Sequence, residues 1–228
     1  MALDPKAFRT RTLTAIVFVI VMLAGLLWNQ WSFIILFTII HFGCWYEFIK
    51  LIKKIKPSSY KLISIFGLIY ITLPVLLLIY MRTGNDVTIN NRLLEIIPCG
   101  IIFSIWINDT MAYIVGSFIG KTPFSKISPK KTWEGTIGGA ILCIVTIALI
   151  GKATGFYNYI DWIIIAACCA VFGTIGDLLE SKLKRMAQVK DSGSIMPGHG
   201  GFMDRFDSLL VATPFVALYY FLAMQSVK

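Results

Sequence analysis

The chain has 228 residues, of which 57% are hydrophobic and 14% charged, and its mean hydropathy is +0.77. Soluble domains run about 45–50% apolar and about 25% charged, so the composition argues against a soluble enzyme and against a disordered chain. The net charge of +9 (21 Lys and Arg against 12 Asp and Glu) reads as basic cytoplasmic loops and not as a nucleic-acid surface. Such loops also favour anionic lipids and phosphate-bearing substrates.

A spanning helix needs about 20 mostly apolar residues. Apolar segments lie near 12–28, 31–49, 60–80, 93–119, 133–150, 161–181 and 207–225. The fold class expected is therefore all-α: a polytopic transmembrane protein of about seven spans, or eight if 93–119 divides. The first segment has no small-x-small cleavage site before Trp28, which favours a retained helix over a signal peptide. Asn29 and Gln30, flanked by Trp28 and Trp31, predict a tight helical hairpin with aromatic anchors. Basic and charge-poor loops alternate along the chain, which predicts a cytoplasmic N-terminus and an external C-terminus. The segment 93–119 contains Asn108, Asp109 and Gly116, with Gly120 just beyond. It reads as one broken helix or as a helix plus a re-entrant piece. The glycines of the second half, Gly135, Gly138, Gly139, Gly173 and Gly176, read as close-packing sites. The five cysteines lie in apolar runs without a CxxC pair and read as small buried hydrophobes.

The first half is chemically quiet on this reading. His41 and Glu47 sit in an apolar helix and are expected to be packed or interfacial. The second half differs. An ionisable residue inside a membrane helix costs about 2.5–3.5 kcal/mol on insertion scales, so such residues mark function. Asp177 and Glu180 stand near the end of one apolar segment. On a continuing helix, Asp177, Ser181 and Lys184 share a face, and Arg185 adds a planar fork suited to phosphate. A turn-rich loop with Lys190, Asp191, His199, Gly200 and Gly201 follows. Asp204 and Asp207 then open the last helix on one face. Three carboxylates (Asp177, Asp204 and Asp207) at adjoining helix ends need a cation. Oxygen-only ligation points to Mg²⁺ or a similar hard ion, one or two in number. A second basic element, Lys130, Lys131 and Thr132, precedes a helix whose free amides suit an anion.

The run SKLKRMAQVKDSGSIMPGHGGFMDRFDSL, Ser181 to Leu209, resembles the signature of the phosphatidate cytidylyltransferases, or CDP-diacylglycerol synthases. GDLLES at Gly176–Ser181, SPKKTWEG at Ser128–Gly135, and Asn108–Asp109 with Tyr113 and Gly116 also look like that family. The resemblance is clear from about 104 to 215. It implies N-terminal transmembrane helices over 1–100 and a catalytic transmembrane region over 101–228, together one membrane domain. The implied reaction is transfer of CMP from CTP to phosphatidate in phospholipid biosynthesis, in a bacterial plasma membrane with the site facing the cytoplasm. The implied roles are Asp177, Asp204 and Asp207 for Mg²⁺; Ser181, Lys184 and Arg185 for phosphate groups; and Lys130, Lys131 and Thr132 for triphosphate or headgroup. Lys190, Asp191 and His199–Gly201 would shape the nucleotide pocket, with Arg205 and Asp109 in support. A homodimer is compatible with the sequence. Two other readings remain open at this stage: a CTP-dependent enzyme on another lipid acceptor, of the CDP-archaeol synthase or polyprenol kinase type, and an ion-coupled transporter. Against a transporter, the charges cluster at one face and no inverted repeat is visible.

Overall fold

Backbone polar groups in hydrocarbon must be satisfied within the spanning element, which restricts a chain this apolar to helices or a closed barrel. The computed structural model describes residues 5–84, 91–196, 198 and 200–224, and among these no strand occurs. The helices are α1 (Pro5–Leu27), α2 (Gln30–Ile55), α3 (Tyr60–Ser64), α4 (Leu73–Thr83), α5 (Asn91–Ile119), α6 (Trp133–Thr154), α7 (Tyr159–Met186) and α8 (Met203–Tyr219). A π-helical turn, Leu68–Thr72, leads into α4, and another, Tyr220–Met224, extends α8. Six helical stretches are long and apolar enough to cross a membrane, and Thr12–Leu27 is a shorter apolar helix. These seven match the seven apolar segments, and the all-α polytopic expectation holds. The segment 93–119 lies in a single helix with Pro98 inside it, without a re-entrant piece. Residues 85–90, within the expected 82–92 loop, lie outside the described residues.

The chain divides into two compact units. The first comprises Met1–Val75 and Lys182–Phe206. Its hairpin turn works as the sequence suggested. The Asn29 side chain accepts from the Ser32 amide at 2.8 Å, and Ser32 Oγ accepts from the Asn29 amide at 3.1 Å, a reciprocal cap that starts α2. Trp28 and Trp31 are exposed beside it. Helix α2 buries Phe33, Phe37, Ile40, Cys44, Phe48 and Leu51, a stripe at helical spacing. His41 and Trp45 both meet Thr72 Oγ1, at 3.0 and 2.9 Å. Lys53 and Lys54 close α2 where cations suit the helix dipole.

The second unit comprises Leu76–Ser181 and Asp207–Lys228. Here the glycines do pack helices closely. A Cβ on Gly135 or Gly139 of α6 would strike Ala112 of α5, and one on Gly151 would strike the Trp162 ring of α7. Cys143 is buried and its thiol donates to the Ser104 carbonyl at 3.2 Å, consistent with a small buried hydrophobe. Gly173 and Gly176 let α7 lie against the start of α8: Ser208 Oγ donates to the Gly173 carbonyl at 3.0 Å, and a Cβ on Gly176 would collide with the Asp207 carbonyl. This close approach carries the carboxylates of α7 to Asp207. Gly176→Leu should therefore force the two helices apart and cost about 1–3 kcal/mol, the usual range for an overpacked core. The expected readout is a lower Tm in detergent; an unchanged Tm would show that α7 can yield at this point.

Candidate active site

Three carboxylates of the second unit, Asp177, Glu180 and Asp207, place one oxygen each within 4.8 Å of the others. Asp177 is partly exposed, whereas Glu180 and Asp207 are buried. Asp177 and Glu180 are three apart on α7, so they share a face. The Ser208 amide donates to Asp207 Oδ1 at 2.7 Å. Asp109, on α5, lies near enough to act electrostatically on Asp207. Buried like charges this close repel strongly unless a cation lies among them. One is on hand: Lys131 forms an ion pair with Asp177. The all-oxygen donor set fits a hard divalent cation.

The loop that delivers Lys131 explains the Ser128–Gly135 motif residue by residue. Thr132 caps α6 by accepting from the Gly135 amide at 3.1 Å. The Trp133 ring lies against Phe124, with centroids 4.5 Å apart. The Glu134 carboxylate accepts from the Lys121 and Thr122 amides at 3.1–3.2 Å. The Phe124 amide donates to the Lys131 carbonyl at 2.7 Å. Thr132 is thus a structural cap as well as a neighbour of the lysines, and Lys130 is exposed.

A separate polar node lies in the first unit. Lys184 Nζ donates to Asp204 Oδ1 at 2.6 Å. Asp204 Oδ2 accepts from the Ser192 amide and hydroxyl, at 2.9 and 2.8 Å, and from the Gly201 amide at 2.7 Å. The same Ser192 hydroxyl lies 2.7 Å from Glu47 Oε2. Glu47 also accepts from the Phe202 and Met203 amides, both at 2.9 Å, at the N-terminus of α8 where a carboxylate suits the helix dipole. Glu47 is 3% exposed. It is neither interfacial nor chemically quiet: it fastens the loop to α2. Gly193 and Gly201 stand against it with no room for a Cβ. Gly200 has φ +85°, a conformation that favours glycine, and its backbone backs onto Asp204.

Of the expected carboxylates, Asp177 and Asp207 are brought together among the described residues. Glu180 joins Asp177 and Asp207, while Asp204 is engaged by Lys184 and loop donors. Lys184 and Lys131, expected on phosphate, are both paired with carboxylates. Ser181 is buried; Arg185, Lys190, Asp191, Arg205 and Asp109 are exposed. Arg185 donates to the Val189 carbonyl at 3.5 Å. His199 lies outside the described residues. Glu47 is packed, one of the two states expected for it; its bonds to the loop were not indicated by the sequence.

Comparison with known proteins agrees with the motif. A model of the cytidylyltransferase family matches residues 87–223, more than half of the chain. The phosphatidate cytidylyltransferase of Bacillus subtilis (strain 168) is 46% identical over 124 residues, 54% of this chain and 45% of that protein. That of Rickettsia typhi is 36% identical over 222 residues, 94% of this chain and 92% of that protein, and that of Rickettsia bellii is 34% identical over 215 residues, 90% and 87% respectively. The chain belongs to the cytidylyltransferase family. It is an integral membrane protein with an acidic group able to hold a metal ion.

Two measurements separate the polar groups. Glu180→Gln and Asp207→Asn should weaken Mn²⁺ binding, followed by electron paramagnetic resonance, by more than the about 10–100-fold typical of an outer-shell change. Asp204→Asn should leave Mn²⁺ affinity nearly unaltered; an equal loss there would restore Asp204 as a ligand. Glu47→Ala strands the Phe202 and Met203 amides, at about 1–3 kcal/mol for each group left unpaired. Faster proteolysis within 190–203, at a retained helical signal, is the expected result.

Proposed function

We propose that the protein transfers CMP from CTP to phosphatidate, giving CDP-diacylglycerol and pyrophosphate in phospholipid biosynthesis. The observation that carries this reading is the trio Asp177, Glu180 and Asp207, with Lys131 beside it, inside the family-matched segment. The names of the relatives, two of them aligned along nearly the whole chain, support the substrate assignment. An oxygen of the lipid phosphate forms a bond to the α-phosphorus of CTP. The bond from that phosphorus to the bridging oxygen breaks, and its electron pair leaves with pyrophosphate. A phosphate monoester carries about −1.5 to −2 charges at pH 7, so the attack requires no general base. The obstacle is an anion approaching an anion.

The trio holds one or two Mg²⁺ ions in this reading, and such an ion supplies charge neutralisation for the triphosphate and the departing pyrophosphate. Lys131, already at the rim of the trio, gives a fixed ammonium for triphosphate oxygens, and Lys130, next to it in the chain, is exposed. Asp204, Lys184 and Glu47 hold the loop that carries Lys190, Asp191, Gly200 and Gly201, and in this reading those loop residues serve the nucleotide. Residues from 101 onward supply the reacting-group contacts. Basic loops and bacterial relatives support a site on the cytoplasmic side of a bacterial plasma membrane.

Detergent-purified protein with phosphatidate, CTP and Mg²⁺ should release pyrophosphate and yield CDP-diacylglycerol by mass. Omitting lipid or metal should abolish release, and Asp207→Asn should lower it by at least about a hundredfold, the scale of losing one fixed electrostatic partner of the transition state. A product mass matching another lipid phosphate would move the protein to a different acceptor. Folded protein with no release on any lipid, but with counterflow of a solute in proteoliposomes, would overturn the enzyme reading.

A further inference from the structure

The first unit contains a groove of about 520 Å³, within the roughly 300–1,000 Å³ of small-molecule sites. Helix α1 contributes Leu13, Val17 and Val21, spaced by four and therefore on one face. Helix α2 contributes Leu36, Ile39 and Ile40. Ile195, Met196, Phe202 and Phe206 complete the wall. No lining residue is charged. Thr14 is the one with a hydroxyl, and that hydroxyl donates to the Thr10 carbonyl of its own helix at 2.9 Å.

Two features separate this groove from a chance gap between lipid-facing helices. Its wall is partly the motif loop, and that loop is held fast. The Phe202 amide is bonded to Glu47, the Gly201 amide to Asp204, and the Phe202 ring rests where a side chain at Gly43 would have to be. The groove is therefore preformed. Its charge pattern is also one-sided. Arg9 is exposed one turn before Leu13 on the same face of α1. An apolar trough with a guanidinium at one end complements an anionic head carrying a hydrocarbon tail.

We propose that this groove binds an acyl chain of the phosphatidate substrate. The inference rests on the proposed function and adds to it the place of the lipid tail. Ile195, Met196 and Phe202, between α7 and α8, form part of that tail wall.

Val17→Trp and Ile39→Trp would fill the groove. Both positions are more than half exposed, so the larger side chain does not enter the core. Ile141→Trp, equally exposed on α6, is the control. The expected effect is a rise of about tenfold in KM for dioleoyl phosphatidate, a loss of roughly 1.4 kcal/mol of binding. The KM for CTP, the kcat and the KM for dihexanoyl phosphatidate should stay within about twofold, because only uniform binding of the long tail is removed. Equal effects on both lipids, or none, would overturn the proposal. Tail labelling reads the groove without turnover. Phosphatidate with a terminal diazirine should label peptides from α1, α2 or 195–206, with protection by unlabelled dioleoyl phosphatidate and not by phosphatidylcholine. Equal protection by both would mean an ordinary bilayer lipid, and no labelling would mean an empty groove; either result overturns it. Failure of the reaction itself would show separately, as absence of CDP-diacylglycerol from the unaltered protein.

Discussion

Buried carboxylates set the terms for this structure. Each ionisable group placed in a membrane helix costs about 2.5–3.5 kcal/mol on insertion scales, whereas a Leu or Ile returns about 0.3–0.6. Glu47, Glu180 and Asp207 are all buried, and Asp204 has a nearly buried side chain. Each must find a cation, a dipole or a row of donors. The two units solve this differently. In the first, Lys184 and four backbone amides, two of them at the N-terminus of α8, compensate Asp204 and Glu47. In the second, Asp177, Glu180 and Asp207 meet, with Lys131 paired to Asp177. An all-oxygen acidic group of this kind is able to hold a metal ion.

Small residues make the second arrangement attainable. Helix–helix association in lipid gains little from the hydrophobic effect, so it depends on close packing and interhelical hydrogen bonds. Gly173 and Gly176 provide the packing, and Ser208 the bond, at the point where α7 meets the start of α8. Without that approach, Glu180 and Asp207 would remain on separate helix surfaces, each accessible to its own solvation. The glycines are therefore electrostatic devices as much as packing ones.

Most of the architecture was legible because length and hydropathy decide it: seven apolar segments became seven helical stretches. The segment 93–119 was ambiguous in sequence because Asn108 and Asp109 suggest a break. In the structure α5 runs through them, since a helix satisfies its own backbone whatever the side chains require. The motif drew attention to the ends of α7 and α8, where Asp177, Glu180 and Asp207 meet. What it did not resolve was the choice among acids. Asp204 and Asp207 look equivalent at a spacing of three. Only the chain return through Ser192 and Gly201 shows that Asp204 is already occupied. Glu180 was visible as a neighbour of Asp177, but its weight appears only when α8 is in place. Glu47 carried the same signal that marked Asp177, a carboxylate in an apolar helix. Its position near the end of the apolar segment left burial and contact with water both open.

Glu47 also changes how the first 75 residues are understood. A hydroxyl has one proton to give, yet Ser192 Oγ lies 2.7 Å from Glu47 and 2.8 Å from Asp204. The two carboxylates therefore compete for one donor and are tied together by it. Lys184 relieves Asp204, and the amides opening α8 relieve Glu47, so neither acid can be removed without disturbing the donors of the other. The family-matched segment begins at residue 87, well after Glu47, but the loop inside that segment takes its shape from α2. The N-terminal hairpin is thus a working part of the loop's geometry and not only a membrane anchor.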